Sequence, residues 1–524
     1  MKKTSLNNSD FTNPLDRAIG RGMSAFAGLL LAFAFPTEPD HPLAWMHNSM
    51  WGFVSLLPLF RCLPLPKWKD GFQIGWIMGS VFSLYSLYWV AYTQGGGLAV
   101  VGGTLLMAAY IGLFYGIAIG FLNIVVNRFA SAGWFSAPFF WTGIEYLLSL
   151  GELGFPWLLL GITQAETIEL IQYAEITGVY GVSFWVVLVN AVLWLSFTSV
   201  NLVKLIVGAF VLALLFALPW YYSFRVMDKT DPSETIRVGL VQNNIGLEKW
   251  QYGGLEQSFS SAESLSRKAA KQAPEIIVWP ETAIPCRLRT QPDCRNRVEN
   301  LARELGVTVL TGATDRDPQS REPYNTAFYI DPDRPLQSYA KMHLVPFGER
   351  TPFKDYIPLF DNIDWTTLTG DLGPAEFARG DDITLFAHPK GAFTVLICFE
   401  SVFPDFVRRS VDRGASFLII ITNDSWFGHT AGPFQHAQHS ILRAVENRMA
   451  IARCATSGVS LFIDPYGRTS QATDIYTQAF VVGDIPTKNS GKTFYTRHGD
   501  LFAQLITGIS FLLGLIAIRA QRVT

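Results

Sequence analysis

The sequence predicts two structural classes in one chain: an all-α membrane bundle of about eight transmembrane helices, and an α/β domain of strands covered by helices. Three observations predict this. Hydrophobic residues make up 49% of the 524 positions and charged residues only 16%, whereas a soluble domain carries about 25% charged residues. Charge is also uneven, since positions 19–222 are nearly free of it and the region that follows is ordinary in composition. Within that second region, strand-like and helix-like runs alternate. The boundaries drawn from this are 1–222 for seven helices, 223–490 for the α/β domain, and 491–524 for a last helix and tail. The net charge of −2, from 41 basic and 43 acidic side chains, excludes a nucleic-acid-binding surface from the expectations.

A bilayer core takes roughly 20 apolar residues per helix. Segments 19–36, 45–60, 71–93, 98–126, 132–150, 174–197, 203–222 and 501–518 meet or approach that length. Pro36-Thr-Glu-Pro-Asp40 follows the first, with no small-residue cleavage pattern. That span is therefore expected to be a retained anchor. Lys2, Lys3, Arg17 and Arg21 precede it, and Arg61, Lys67 and Lys69 separate the second and third spans. Arg128, Lys204, Arg519 and Arg522 fall in later loops of the same parity. Loops 37–43, 94–97 and 151–173 hold neither Lys nor Arg. The positive-inside rule then puts both termini in the cytoplasm and 223–490 outside it. The stretch 151–161, apolar but broken by Gly and Pro, is expected to be an interfacial re-entrant segment and a lipid-facing floor for the outer domain.

In the α/β part, strands are expected at 237–242, 275–279, 307–311, 324–331, 393–397 and 416–422, and near 450–454 and 459–464. Apolar and β-branched runs mark each of them. Helices are expected at 256–271, 297–305, 404–413, and over the segment holding Arg443, Glu446 and Arg448. The strands are too apolar for a one-sided sheet, so helices should cover them. Segment 350–376 is aromatic but aperiodic and long for a connection, which suggests a lid or binding loop.

Chemistry concentrates at strand ends. Cys398 ends Phe393–Ile397, Glu281 follows Ile276-Ile-Val-Trp-Pro280, and Lys341 opens a segment that ends in Glu349. A free thiol is only a few per cent thiolate at neutral pH, so it needs a base or a nearby cation. Glu281 can take the proton, and Lys341 can stabilise a thiolate and then an oxyanion. A strand-to-helix turn at Cys398 can offer backbone N–H groups to the same oxyanion. Glu349 and Glu400 are further carboxylates able to hold Lys341 or tune the base. Each residue also has a plainer reading. A cysteine ending a strand is commonly a small buried hydrophobe. Glu281 and Glu400 could cap helices, and Lys341 could be a surface lysine. The five cysteines, Cys62, Cys286, Cys294, Cys398 and Cys454, form no CxxC or zinc spacing. Cys286 and Cys294 could form a short-loop disulfide outside the cytoplasm, a pairing that the sequence leaves open.

Four motifs in order then carry a resemblance. Trp279-Pro-Glu-Thr282, Lys341-x-x-Leu-Val-Pro-Phe-Gly-Glu349, Ile397-Cys-Phe-Glu-Ser401 and Thr422-Asn-Asp-Ser-Trp-Phe427 resemble those of the nitrilase superfamily. That resemblance implies an α-β-β-α sandwich with a Glu–Lys–Cys triad. With its apolar flanks, the chain resembles the apolipoprotein N-acyltransferase family of the bacterial inner membrane nearly end to end. The likeness includes Phe155-Pro-Trp157, Gly178-Val-Tyr-Gly181 and Phe494–Asp500. It implies Glu281 as general base, Lys341 as oxyanion stabiliser and Cys398 as nucleophile, with Glu349, Glu400 and Phe399 in support. Trp250, Trp426 and Trp157 match substrate-facing positions. Many members have Tyr where this chain has Phe399, so a hydroxyl is missing beside the cysteine. The implied reaction moves an acyl chain from a phospholipid, through a thioester, to the α-amine of a diacylglyceryl-cysteine apolipoprotein. The implied setting is a monomer, multi-pass in the inner membrane, with the catalytic domain periplasmic. Neither a metal nor another cofactor is expected.

Two other readings compete. A membrane-tethered amidase would use the same three residues, but has no need of apolar loops 151–161 and 350–376. A transporter with a regulatory domain would place ionisable residues in its spans, and few exist beyond Glu145 and Glu175.

Overall fold

The computed structural model describes residues 14–94, 96–227, 234–357, 376–487 and 491–521. They group into two units, one drawn from 1–91, 101–225 and 500–524 and the other from 92–100 and 226–499.

The second unit is built on two sheets. Its strands are β1 Thr235–Gln242, β2 Ile276–Val278, β3 Thr308–Arg316, β4 Pro323–Ile330, β5 Gln337–Ala340, β6 Phe393–Ile397, β7 Phe417–Thr422, β8 Ile451–Ala455, β9 Leu461–Ile463, β10 Thr469–Ser470 and β11 Ala479–Pro486. One sheet runs β11-β1-β2-β3-β4-β5 and the other β10-β9-β8-β7-β6. The central strands are parallel: β1 with β2, β2 with β3, β6 with β7, and β7 with β8. Parallel strands covered on both faces read as unbroken apolar runs, and β2, β6 and β7 are buried at every position. The sheets face each other, since the Cys454 thiol of β8 donates to the Val241 and Val278 carbonyls at 3.4 and 3.3 Å. Helices Gly254–Ala270 and Pro292–Leu305 pack on the first sheet, where Phe259, Leu265, Val298 and Leu301 join Ile277, Val309 and Phe328 in one core.

Most expected strands and helices lie within a few residues of those observed. Three strands were not expected, among them the two-residue β10. β11 pairs antiparallel with β1 along all eight residues, and β5 is Gln-Ser-Tyr-Ala. Cys286 and Cys294 are free buried thiols in hydrogen-bond contact, not a disulfide. Of the expected lid, residues 358–375 lie outside the described residues.

In the helical unit and the segments joined to it, four described stretches are long and apolar enough to cross a membrane: Gly97–Leu148, Ala174–Phe197, Leu202–Met227 and Leu501–Arg519. Helices Pro14–Phe33 and Trp68–Ser86 are 20 and 19 residues long. Two expected spans differ. Segment 45–60 is not one helix but 3₁₀ turns at Ala44–Met46 and Ser49–Phe53, followed by the short helix Leu57–Arg61. Asn48 caps the second turn by accepting the Met50 N–H at 2.9 Å, a local bond that competes with a continuous helix. Pro58 then sits where a helix begins. Segment 132–150 is the 3₁₀ stretch Ala130–Ser136 running into the 12-residue helix Ala137–Leu148, with Pro138 in its first turn. The α-helical part alone is about 18 Å long, so spanning the roughly 30 Å hydrocarbon core takes the 3₁₀ stretch as well. The broken stretch after it turns through Pro156–Leu158 and Leu160–Gln164. Its free amides are satisfied inside the unit: Leu160 N–H donates to Glu145 and Gly161 N–H to Ser183, each at 2.8 Å. Glu145 also accepts the Trp141 indole N–H at 2.8 Å. An apolar setting tolerates irregular backbone only under such conditions.

Candidate active site

The C-terminal ends of β2, β6 and β7 deliver the chemistry. β2 runs into Trp279-Pro280, and Glu281 follows at a turn whose next residue, Thr282, has φ 45°. Gly312 on β3 permits this close approach, because a Cβ there would lie 2.7 Å from the Glu281 Cα. β5 ends at Ala340, so Lys341 enters the site directly from the sheet edge. Cys398 begins the 3₁₀ turn Cys398–Val402 after β6 and adopts φ 52°. A left-handed conformation is uncommon for such a residue and presents its side chain on a sharp turn.

The structure brings Glu281, Lys341 and Glu349 into contact, with Cys398 near enough to feel the charges of Glu281 and Lys341. Lys341 is 1% exposed and Glu281 5%, so neither the surface-lysine nor the helix-cap reading applies to them. Lys341 Nζ lies 3.2 Å from Glu281 Oε1 and 2.9 Å from Glu349 Oε2. Burial alone would lower its ammonium, but Glu281 and then Glu349 more than reverse this and hold it above the usual lysine value. The Cys398 thiol is shifted up as well, which favours its neutral form. Burial pushes it up, Glu281 adds to the rise, and Lys341 opposes it. The resting state is thus a neutral thiol beside a carboxylate and an ammonium.

Three further groups complete this arrangement. Asn325, on β4, donates from Nδ2 to Glu281 Oε1 at 2.7 Å and to Glu349 Oε1 at 2.9 Å. The Asn423 N–H donates to Glu281 Oε2 at 2.8 Å. Lys249 is buried and donates from Nζ to the Thr282 carbonyl and hydroxyl at 2.9 and 3.1 Å. Burial lowers its pKa to about 8, with Glu281 opposing. Sequence reasoning missed Asn325 and Lys249; their only signal was a polar side chain inside or beside an apolar run. Loss of a hydrogen bond to a charged group costs about 1.5–3 kcal/mol. Asn325→Ala is therefore expected to slow acyl transfer roughly 10- to 100-fold, measured as kcat/KM in micelles. A rate within twofold of the unaltered protein would refute the role of Asn325.

Glu400 is fully buried and binds the loop on either side of the thiol and the lysine. It accepts from Tyr339 Oη at 2.6 Å, Met342 N–H at 2.7 Å, His343 N–H at 3.2 Å and Ile397 N–H at 2.8 Å. Burial pushes its carboxyl up to about 7, held from going higher by Tyr339 and the Ile397 and Met342 amides. The observed bonds reach across elements and are not a simple helix cap. Phe399 is buried with its ring 5.0 Å from that of Phe403. Trp250 ends a 3₁₀ turn with half its surface exposed, and Trp426 is half-buried. Trp157 belongs to the helical unit, 2% exposed, with its ring 5.0 Å from that of Trp89.

Cys398, Asp424 and His436 also bring one donor atom each within 4.8 Å of one another. This group is not arranged as a thiol–imidazole pair. His436 Nδ1 faces Asp424 at 2.8 Å, and Nε2 lies 3.2 Å from the Cys398 carbonyl and 3.0 Å from the Ser401 hydroxyl. Asp424 is in turn held by Arg453 at 2.9 Å. Polar atoms already engaged in this way would have to give up those partners to bind a metal.

Residues 237–493 match the carbon-nitrogen hydrolase family, and 27–192 match the apolipoprotein N-acyltransferase N-terminal domain. An apolipoprotein N-acyltransferase from Chlorobaculum tepidum is 33% identical, over 98% of this chain and 100% of the relative. One from Geobacter metallireducens is 32% identical, over 96% of each. Among solved structures, a variant amidase of the nitrilase superfamily from Nesterenkonia is similar at 17% identity, with a TM-score of 0.39 over 53% of this chain and 98% of that one. With full-length likeness at a third of positions, and both halves of the chain matched, this protein belongs to the apolipoprotein N-acyltransferase family.

Proposed function

We propose that this protein transfers a fatty acyl chain from a phospholipid to the N-terminal α-amine of a diacylglyceryl-cysteine apolipoprotein, the last step of bacterial lipoprotein maturation, with Glu281, Lys341 and Cys398 as its triad. One observation carries the assignment of roles: a buried ammonium held between two carboxylates, with the partly exposed Cys398 thiol within reach of their charges. Full-length likeness to N-acyltransferases supports the reaction over the amidase and transporter readings.

The chemistry follows from the charges. Because the thiol is neutral at rest, its proton passes to Glu281 as sulfur attacks the ester carbonyl. The carbonyl oxygen becomes an oxyanion, which the Lys341 ammonium stabilises. On collapse the ester C–O bond breaks, and Glu281 returns the proton to the departing lysophospholipid oxygen. A thioester remains. The acceptor amine then attacks the thioester, Glu281 takes the amine proton, and the thiolate leaves to be reprotonated. Glu349 and Asn325 position Lys341 and Glu281, while Glu400 fixes the loops that carry Lys341 and Cys398. Phe399 supplies an apolar face where many relatives carry a hydroxyl, so no phenol takes part. Exposed Trp250 and half-buried Trp426 suit contact with a lipid substrate, whereas Trp157 is buried against Trp89 within the helical unit, a position that suits packing. No residue role requires a metal.

Lipid substrates call for a membrane setting. We read eight crossings: Pro14–Phe33, Trp68–Ser86, Gly97–Leu148 as two passes, Ala174–Phe197, Leu202–Met227, Leu501–Arg519, and the 45–60 segment as linked short turns whose backbone at Ser49, Gly52 and Leu56 bonds to Gln164 and Asn190. Strict alternation of Lys/Arg loops supports a multi-pass inner-membrane protein with cytoplasmic termini and a periplasmic 223–490 domain. A reporter active only outside the cytoplasm, fused after residue 230, is expected to be active, and fused after residue 522 to be silent. The opposite pair of results inverts the topology. The acceptor role is tested by supplying a diacylglyceryl-cysteine peptide to the purified protein with phospholipid. Gain of one amide-linked acyl chain on the peptide is the expected mass change.

A further inference from the structure

We propose that His436 is a positioning residue: it carries the Asp424–Arg453 ion pair onto the Cys398 carbonyl, and so fixes the left-handed turn that aims the nucleophile at its base. This rests on Cys398 being the nucleophile.

Four elements converge on one buried point. Asp424 follows β7, His436 lies in helix Gly432–Asn447, Arg453 is on β8, and Ser401 is in the turn after β6. Asp424, His436, Arg453 and Ser401 are all 0% exposed. Asp424 Oδ2 accepts from Arg453 Nη2 at 2.9 Å, and its Oδ1 accepts from the Thr422 hydroxyl at 2.9 Å. The same Oδ1 faces His436 Nδ1 at 2.8 Å. On the far side of the ring, Nε2 lies 3.0 Å from Ser401 Oγ and 3.2 Å from the Cys398 carbonyl oxygen. The Ser401 hydroxyl donates to that carbonyl at 2.7 Å. Gly458 leaves room for the pair, since a Cβ there would stand 2.1 Å from Asp424 Oδ2.

Two consequences follow for the reacting atoms. A non-glycine residue at φ 52° persists only where its surroundings over-determine it; the Ser401 hydroxyl donating to the Cys398 carbonyl, with the His436 ring seated against both oxygens, supplies that constraint. The loop that holds Asp424 also sends the Asn423 N–H to Glu281 Oε2 at 2.8 Å. Anchoring Asp424 therefore sets the base and the nucleophile against one frame. Reacting groups must be held to within a fraction of an ångström, and a misplacement of about 1 Å can cost on the order of 10²-fold in rate. A buried histidine that merely satisfies its neighbours would stabilise the fold and leave the rate alone.

Full-length protein in detergent micelles, mixed with a synthetic phospholipid and no acceptor, separates these readings by intact mass over time. The amplitude counts folded sites, and the rate constant reports their alignment. His436→Asn keeps an amide near Nδ1 and withdraws Nε2. It is expected to acylate at full amplitude with a rate constant lower on the order of 10²-fold. His436→Gln, which reaches the Nε2 position, is expected to recover about tenfold of that loss. A lower amplitude at an unchanged rate constant makes the role structural and overturns the proposal, as does an unchanged time course. Should His436→Asn fail to fold, Ser401→Ala removes one hydroxyl from the same carbonyl. A rate about tenfold lower supports the proposal, and one within twofold rejects it. Acylation that persists in Cys398→Ala removes the reading beneath, whereas normal acylation of Cys398 in His436→Asn removes the inference alone.

Discussion

Incubated with phospholipid and no acceptor, the protein is expected to gain one acyl chain, which hydroxylamine removes. Cys398→Ala is expected to show no adduct. No other cysteine is placed to form it: Cys454 is 0% exposed between the two sheets, Cys62 is buried in the helical unit, and Cys286 and Cys294 are buried in the core of the first sheet. Cys62→Ala and Cys454→Ala should therefore acylate at the normal rate. Cys398→Ser should do little better than alanine, because an alkoxide needs a far stronger base than a carboxylate. The proton accounting explains why. The thiol is already pushed up by burial and by Glu281, so replacing it with a weaker acid removes what margin remains. Intact mass across this set decides the matter, and an adduct surviving in Cys398→Ala would end the nucleophile assignment.

The next largest effects are expected at the two charged partners. Lys341→Met removes the only cation drawn between Glu281 and Glu349 in the described site and leaves two facing carboxylates buried without it. Loss of an oxyanion donor costs on the order of 10²–10³ in kcat, and the uncompensated carboxylates add a stability cost of about 3–5 kcal/mol. The variant should therefore melt lower as well as react more slowly. Glu281→Gln keeps the shape and can still meet Lys341 through its amide oxygen, but it has no proton affinity to offer. Its expected deficit is about 10²–10⁴ in thioester formation, with little change in phospholipid KM. Single-turnover acylation beside a thermal melt separates the two cases. Full-speed acylation by either variant would mean that another group moves the proton or binds the oxyanion.

Much of the α/β fold was legible because its central strands are parallel and buried on both faces. Phe393–Ile397 and Phe417–Thr422 stand out as unbroken apolar runs, and the reactive residues sit where such strands end. The illegible parts have equally physical causes. β5 is a short strand of Gln-Ser-Tyr-Ala that takes its place by pairing with β4, not by its own pattern. β11 carries Gly483 and Pro486, which weaken any strand signal, yet its register with β1 closes the sheet. Glu281, Lys341 and Cys398, the proposed triad, stand out in the sequence through their neighbours. Asn325, Lys249 and His436 do not, since a polar residue inside an apolar run announces a partner without saying which. In the helical half, length and composition located apolar stretches, but local caps decided continuity: Asn48 and Pro58 break one span, and Pro138 restarts another.

The protonated resting thiol has a bearing on how long one enzyme molecule lasts. Oxidants convert thiolates, not thiols, to sulfenic and then irreversible acids. A nucleophile that faced an oxidising compartment as a free anion would be spent by peroxide between turnovers. On the proposed mechanism Cys398 surrenders its proton only when an ester carbonyl arrives to receive the sulfur, so the vulnerable form exists for the length of one reaction event. On that reading slow chemistry at rest is a preservative, and the desolvation that makes the thiol a poor acid keeps the catalyst intact between reactions.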